Sequence, residues 1–175
     1  MISDAFQDLS SWNGFMPSSD FDGVAIDTHI YQVFSPEEVA RSEDDHINVA
    51  CAKRDVMNAS GLTTIVGEWS PARTDCAKYL NGRGVGSRYD GTYPGSYFVG
   101  SCYGVSSHSD TFNDGYKRFL RRYWEAQVQA YETGGGWIMW TWKAEDADDW
   151  SYQAGLRGGW IPYNPTDYRY PNICG

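Results

Sequence analysis

The chain has 175 residues, the size of one compact domain, and its 14 Lys+Arg against 23 Asp+Glu leave a formal charge of −9 at pH 7. That balance excludes a nucleic-acid binder or a polybasic membrane-surface protein, both of which need clustered positive charge. Hydrophobic residues at 41% are enough for a core and argue against disorder, while no apolar run is long enough to span a bilayer.

Along the chain, Met1-Ile2-Ser3-Asp4 lacks a basic region followed by an apolar stretch, so no secretory leader is read there. The first predicted strand is Val24-Ala25-Ile26-Asp27-Thr28-His29. A helix is expected from about Pro36 to Asn58, with Val39, Ile47, Val49 and Val56 among its apolar positions. The second strand is Thr63-Thr64-Ile65-Val66-Gly67-Glu68-Trp69. Residues 75–109 are rich in Gly, Tyr and Ser and read as a long loop with one short helix near Asp75 to Leu80. From Phe112 to Glu132 the residues Phe112, Tyr116, Phe119, Tyr123, Ala126 and Ala130 fall on one side at helical spacing, and Gly134-Gly135-Gly136 is expected to end that helix in left-handed backbone. The third strand is Trp137-Ile138-Met139-Trp140-Thr141-Trp142.

Near-continuous apolar runs predict strands covered on both faces, as in parallel sheets. The alternation of strands and helices is the pattern of a parallel α/β fold. No repeat, low-complexity tract or linker divides the chain, so residues 1–175 read as one domain. The four cysteines are even in number and include no Cys-x-x-Cys, which favours disulfides over a metal or redox site and leaves three pairings open. Cysteine usage of a secreted protein without a leader is reconciled if the chain is an internal or C-terminal piece whose leader lies upstream.

In parallel α/β folds ligands gather at the C-terminal strand ends, and here those ends carry His29 and Tyr31, then Glu68 and Trp69, then Trp142 and Lys143. A carboxylate ending an apolar run is costly unless it is paired or faces a cleft. With Tyr31 and His29 as hydrogen-bond donors, Glu68 has the character of a retaining glycosidase nucleophile; the bland alternative is a salt-bridged structural glutamate. Eight Trp, 13 Tyr and 7 Phe are more than a small core needs, and exposed planar faces suit sugar rings, although most will fill the core. His46 and His108 stand apart in helical and loop contexts, so no metal cluster is expected. Gly-x-Ser-x-Gly is absent, and Gly82-Arg83-Gly84-Val85-Gly86 does not directly follow a predicted strand, which argues against a phosphate cradle. Asn58-Ala59-Ser60 fits an N-glycosylation acceptor.

Five segments then carry a resemblance. Asp27 to Phe34, Gly67-Glu68-Trp69-Ser70, Thr74 to Gly82, Gly135 to Lys143 and the ending Tyr170-Pro171-Asn172-Ile173-Cys174-Gly175 resemble, in order, fungal exo-β-1,3-glucanases of glycoside hydrolase family five. The resemblance implies a (β/α)8 TIM barrel, secretion to the medium or cell wall, no cofactor, and release of glucose from β-1,3-glucan with retained configuration. It maps the nucleophile onto Glu68, its positioning pair onto His29 and Tyr31, the aromatic beneath the terminal glucose onto Trp142, one jaw of an entrance clamp onto Phe34, and outer subsites onto Leu80 and Asn81. It pairs Cys51 with Cys174 and Cys76 with Cys102; closing the longer loop would contribute roughly 4–5 kcal/mol in the entropic model.

One departure is large. The family's general acid/base lies in Asn-Glu-Pro, which is absent here; Glu145 is a weak substitute. A barrel of this type needs about 250 residues, so the chain is expected to hold only its last strands, about six to eight, with the N-terminal half missing. The leading expectation is a fragment that carries the nucleophile half of a site, is inactive alone and is prone to self-association. A non-catalytic β-glucan-binding protein and a truncated gene product are the alternatives. No nucleic-acid or membrane partner is expected.

Overall fold

A computed structural model describes all residues, 1–175. Its three strands, β1 (Ile2–Ser3), β2 (Ala25–Ile30) and β3 (Thr63–Trp69), form a parallel sheet in that order. The third predicted strand is not one. Residues 135–140 run beside β3 with ladder-type bonds from Gly135 N to Thr64 O (2.6 Å), Ile138 N to Val66 O (2.8 Å) and Trp140 N to Trp69 O (2.8 Å). Then Thr141 N bonds Trp150 O, and Tyr152 N and Gln153 N bond the carbonyls of Thr141 and Trp142. The segment is drawn away from β3 towards residues 150–153 before a regular strand is established. The very short β1 was not foreseen, since two paired residues leave no periodicity to read.

The expected helix from Pro36 to Asn58 is two, α1 (Pro36–Val39) and α2 (Glu43–Ala59). Ser35 and Glu38 form a reciprocal capping box at α1, and Ser42 accepts from Asp45 N at the start of α2. Each serine satisfies amide donors that a helix start leaves free, so the chain begins twice. The helix predicted from Phe112 to Glu132 spans Asp114–Tyr131 (α3), capped by the Asn113 side chain. Its terminating glycines act mainly through space: a Cβ on Gly134 would stand 2.6 Å from Thr64 O and one on Gly135 2.7 Å from Thr63 Cγ2, and of the three only Gly136 is left-handed (φ 114). A short α4 (Tyr152–Gly158) follows. The helix expected near Asp75 to Leu80 is a pair of hydrogen-bonded turns instead.

Burial along β2 and β3 alternates, contrary to the expectation of two covered faces. Ile26 and Val66 face inward and form one core with Ile47, Ala50 and Met57 of α2 and Phe119, Tyr123 and Trp124 of α3. The other face, with Asp27, His29 and Ile65, is only half-buried because no second layer of this chain lies over it. The sheet is thus small, three-stranded and open on one face.

Disulfides join Cys51 to Cys174 and Cys76 to Cys102, the pairing that the resemblance implies. The first ties the C-terminal tail to α2. The second staples the long loop, where Asp75, wholly buried, accepts from Arg88 N (2.7 Å), Asn81 Nδ2 (2.8 Å), Tyr89 N (3.1 Å) and Arg88 Nη1 (3.1 Å). No helix is long and apolar enough to cross a membrane.

Candidate active site

The site is built on a fault in the sheet. Thr28 pairs with Val66 but His29 pairs with Glu68, so Gly67 is an extra residue on β3, a bulge of the kind that re-aims side chains. The bulge turns Glu68 to the half-buried face, opposite His29. Its carboxylate, 32% exposed, accepts from the Tyr31 hydroxyl at 2.9 Å, and His29 Nδ1 lies 3.5 Å from the same oxygen. Burial, and then the bond and charge of Glu68, raise the Tyr31 pKa well above the ordinary tyrosine value, so the phenol remains a donor throughout the physiological range.

Behind His29 stands a residue that motif reading passed over. Asp27 Oδ2 is 3.5 Å from His29 Nε2, and Asp27 Oδ1 occupies the space in which a Cβ at Gly67 would stand, 1.9 Å away. Each imidazole nitrogen thus faces a carboxylate oxygen at 3.5 Å, Glu68 on one side and Asp27 on the other. The sequence signal was the spacing Asp-x-His-x-Tyr, meaningful only once the bulge is known.

Around Glu68 opens a cleft of about 490 Å³. His29, Tyr31, Phe34 and Leu80, all singled out in the sequence, line it together with Glu68. Phe34 meets Tyr31 edge-on (5.4 Å, 78°), and its amide donates to Glu38 Oε2, which also accepts from Ser35 N. Glu38 lines the cleft too, but that oxygen serves the capping box, so it is committed to structure.

Three further aromatics wall the cleft: Phe6, Trp140 and Trp150. Asp4 accepts Phe6 N at 2.9 Å and the Thr28 hydroxyl at 2.5 Å; through left-handed Ala5 and Phe6 the chain then turns, setting Phe6 edge-on to His29 at 6.2 Å. Trp140 is 51% exposed and is placed by its amide bond to Trp69 O. Trp150 is buried and backs the Tyr31 ring at 5.8 Å.

Two expected residues lie elsewhere. Trp142 stacks on Tyr152 (5.7 Å, 22°) in a separate shallow pocket with Trp137, Ile138 and Met139. The bonds from residues 141 and 142 to 150–153 break the alternation that would have set it on the face of Trp140. Asn81 lies in the loop network, its amide donating to Asp75 Oδ2 and Gly86 O and its oxygen accepting from Arg88 Nη1 (2.7 Å). Glu145 is exposed and does not line the cleft. No set of three or more metal-ligating side chains converges in the chain.

A carboxylate that accepts from a phenol and faces an imidazole thus stands at the C-terminal end of parallel strands, in a cleft walled by aromatic side chains. No protein-family model matches the chain. A protein of Aspergillus niger named probable glucan 1,3-beta-glucosidase A is 47% identical over 99% of this chain and 41% of its own length. The glucan 1,3-beta-glucosidase of Blumeria graminis is 46% identical over 99% of the chain and 42% of its own length, and that of Schwanniomyces occidentalis 41% identical over 100% and 41%. The chain is therefore a relative, over its whole length, of the fungal glucan 1,3-beta-glucosidases. It spans about two fifths of the length of these relatives.

Proposed function

We propose that this chain supplies the nucleophile side of a secreted retaining exo-β-1,3-glucanase, as the last strands of a (β/α)8 barrel. The observation that carries the reading is the Glu68 carboxylate, bonded to Tyr31 and paired across the bulge with His29. A Glu68 oxygen attacks the anomeric carbon of the terminal glucose, the bond from that carbon to the glycosidic oxygen breaks, and the leaving oxygen takes a proton from a second acid. Water then opens the glucosyl ester, restoring the β configuration. Trp140, rather than Trp142, is the aromatic positioned beside that sugar, with Phe34 and Phe6 at the mouth of the cleft.

Retention needs two carboxylates about 5–5.5 Å apart. Within the cleft Glu38 is engaged in capping, which leaves Glu68 as the available one. The acid in this reading comes from the part of the relatives' length that the chain does not span, so the isolated chain is inactive on glucan. Disulfides and the relatives' names support a secreted glucanase. The half-buried sheet face, left open, predisposes the chain to self-association.

The test is to refold the chain with the remaining length of the Aspergillus niger relative and follow laminarin by proton NMR. The assembled pair should release β-glucose, whereas the chain alone, and the pair carrying Glu68→Gln, should release none. Turnover by the chain alone, or undiminished turnover with Glu68→Gln, would overturn the proposal.

A further inference from the structure

Away from the cleft, both edges of the sheet carry main-chain groups that point outward. In a parallel ladder the bonding groups of successive residues turn alternately to either side. Asp4 N donates to Asp27 O at 2.9 Å, so the N–H and C=O of Ser3, in β1, point away from β2. On the far side Val66 N donates to Gly136 O at 3.0 Å and Ile138 N to Val66 O at 2.8 Å, so those of Trp137 point away from β3. Apolar side chains flank this second edge. Ile138 and Trp142 are each 60% exposed, and with Trp137, Met139 and Tyr152 they line a shallow pocket of about 340 Å³. Trp137 and Met139 pack towards the core, so alternation sets Ile138 on the open face of the sheet, with Ile65 and Trp140. Unpaired edges of this kind recruit further strands.

We infer that a second copy of this chain occupies both edges, placed by a two-fold axis along the strands. β1, β2, β3 and the segment 135–140 run parallel, so the two free edges head the same way. The axis therefore lays β1 of each copy beside segment 135–140 of the other, twice over. Four parallel segments and their four mates close a ring of eight, a number whose interior is just wide enough for side chains to fill. Each open face then covers the other. Ile65 and Ile138 become enclosed, while Glu68, at the C-terminal strand ends, stays at the mouth of the ring. Closure leaves no edge over, so association stops at two; a copy added at one edge only would continue into a ladder. Charge opposes the contact, since each copy carries −9, so the joint is held by main-chain bonds and apolar burial. The inference gives the self-association proposed above its partner and its geometry. It rests on the barrel reading for closure at eight, and not on the chemistry of Glu68.

Sedimentation velocity of the purified full chain tests this. Wild type should form a discrete dimer whose dissociation constant falls as salt rises from about 0.05 to 0.5 M, because screening relieves the like charge. Ser3→Pro removes the outward N–H of β1 and none that faces β2, and Ile138→Asp sets a charge on the face that becomes covered. Each should weaken dimerisation roughly tenfold or more, with an unchanged far-UV circular dichroism spectrum. Chains carrying Ser3→Cys and Ile138→Cys, mixed and treated with a short bifunctional maleimide, should cross-link to each other. Ser3→Cys alone should not link to itself, since the two β1 strands lie on opposite sides of the ring. A chain that stays monomeric over this range, a ladder of larger oligomers, a dimer indifferent to both variants, or a Ser3-to-Ser3 link would each overturn the inference. So would a chain that is monomeric alone yet pairs with the remaining length of the Aspergillus niger relative, which would give the edges to that polypeptide. Laminarin turnover judges the role of Glu68 separately, so the two readings fail on different measurements.

Discussion

Gly67 and Asp27 depend on each other. The bulge lets the Asp27 carboxylate lie against the backbone of β3, where a Cβ at 67 would come within 1.9 Å of its Oδ1. Gly67→Ala must push Asp27 aside, and overpacking of that sort costs about 1–3 kcal/mol. Urea unfolding of the variant should show the loss, and unchanged stability would mean that the carboxylate moves freely. Tyr31→Phe removes one donor from a partly exposed carboxylate. Its effect on stability should stay within about 1 kcal/mol, whereas in the reassembled enzyme loss of a bond to Glu68, the proposed nucleophile, should lower kcat roughly 10- to 100-fold. Equal effects on both would make Tyr31 a packing residue only.

Among the elements, α3 was the most readable from the sequence, because its large residues recur at the helical period over 18 residues. What periodicity did not show is that its other face is buried as well. There the Arg121 guanidinium bonds Glu125, and Glu125 also accepts Arg169 N at 2.9 Å and Tyr170 N at 2.7 Å, pinning the tail that carries Cys174. Arg121 and Glu125 are four apart, which by itself suggests an exposed pair; only the fold of the tail reveals that they are enclosed. Glu125→Ala strands a buried arginine and should cost roughly 3–5 kcal/mol in thermal or denaturant unfolding. A loss below about 1 kcal/mol would place the pair in water. The break between α1 and α2 was readable in principle from Ser35-Pro36-Glu37-Glu38 and from Ser42, both helix-start signals. The departure of residues 141 and 142 from β3 was not, because it depends on partners at 150–153. That is also why Trp140 and Trp142 could not be told apart by alternation.

Across the whole molecule two buried groups set opposing pH dependences. His46, fully buried against Phe119 and Tyr123, is pushed down to about 4 by burial and then by Arg73 and Arg41. Between about 4 and its ordinary 6.5 the unfolded chain holds that proton and the folded one does not, so stability rises with pH across this window. Asp149, fully buried with a single hydrogen bond from the Ser106 hydroxyl, is pushed up to about 8 by burial. Between its ordinary 3.8 and about 8 the folded chain holds the proton, so here stability falls as pH rises. The two offset each other between about 4 and 6.5, and from there to about 8 Asp149 acts alone, so wild-type stability should decline. Asp149→Asn should abolish that decline and uncover the rise due to His46; an unchanged urea midpoint profile from pH 5 to pH 8 would contradict the assignment. The gross α/β order and Glu68 were readable in the sequence because an apolar run ending in a carboxylate survives any register. The site's surroundings were not, since Asp27 stands behind His29 beside a bulge, and Phe6 and Trp150 reach the cleft through a left-handed turn and a packed loop.

The role of Glu68 is tested most directly by treating the reassembled enzyme with a 2-deoxy-2-fluoro-β-glucoside, which traps the glucosyl ester, and by mapping the adduct by mass spectrometry. The expected result is one glucosyl label on the peptide containing Glu68, lost in Glu68→Gln. A label on any other side chain, or an active enzyme that takes none, would contradict it.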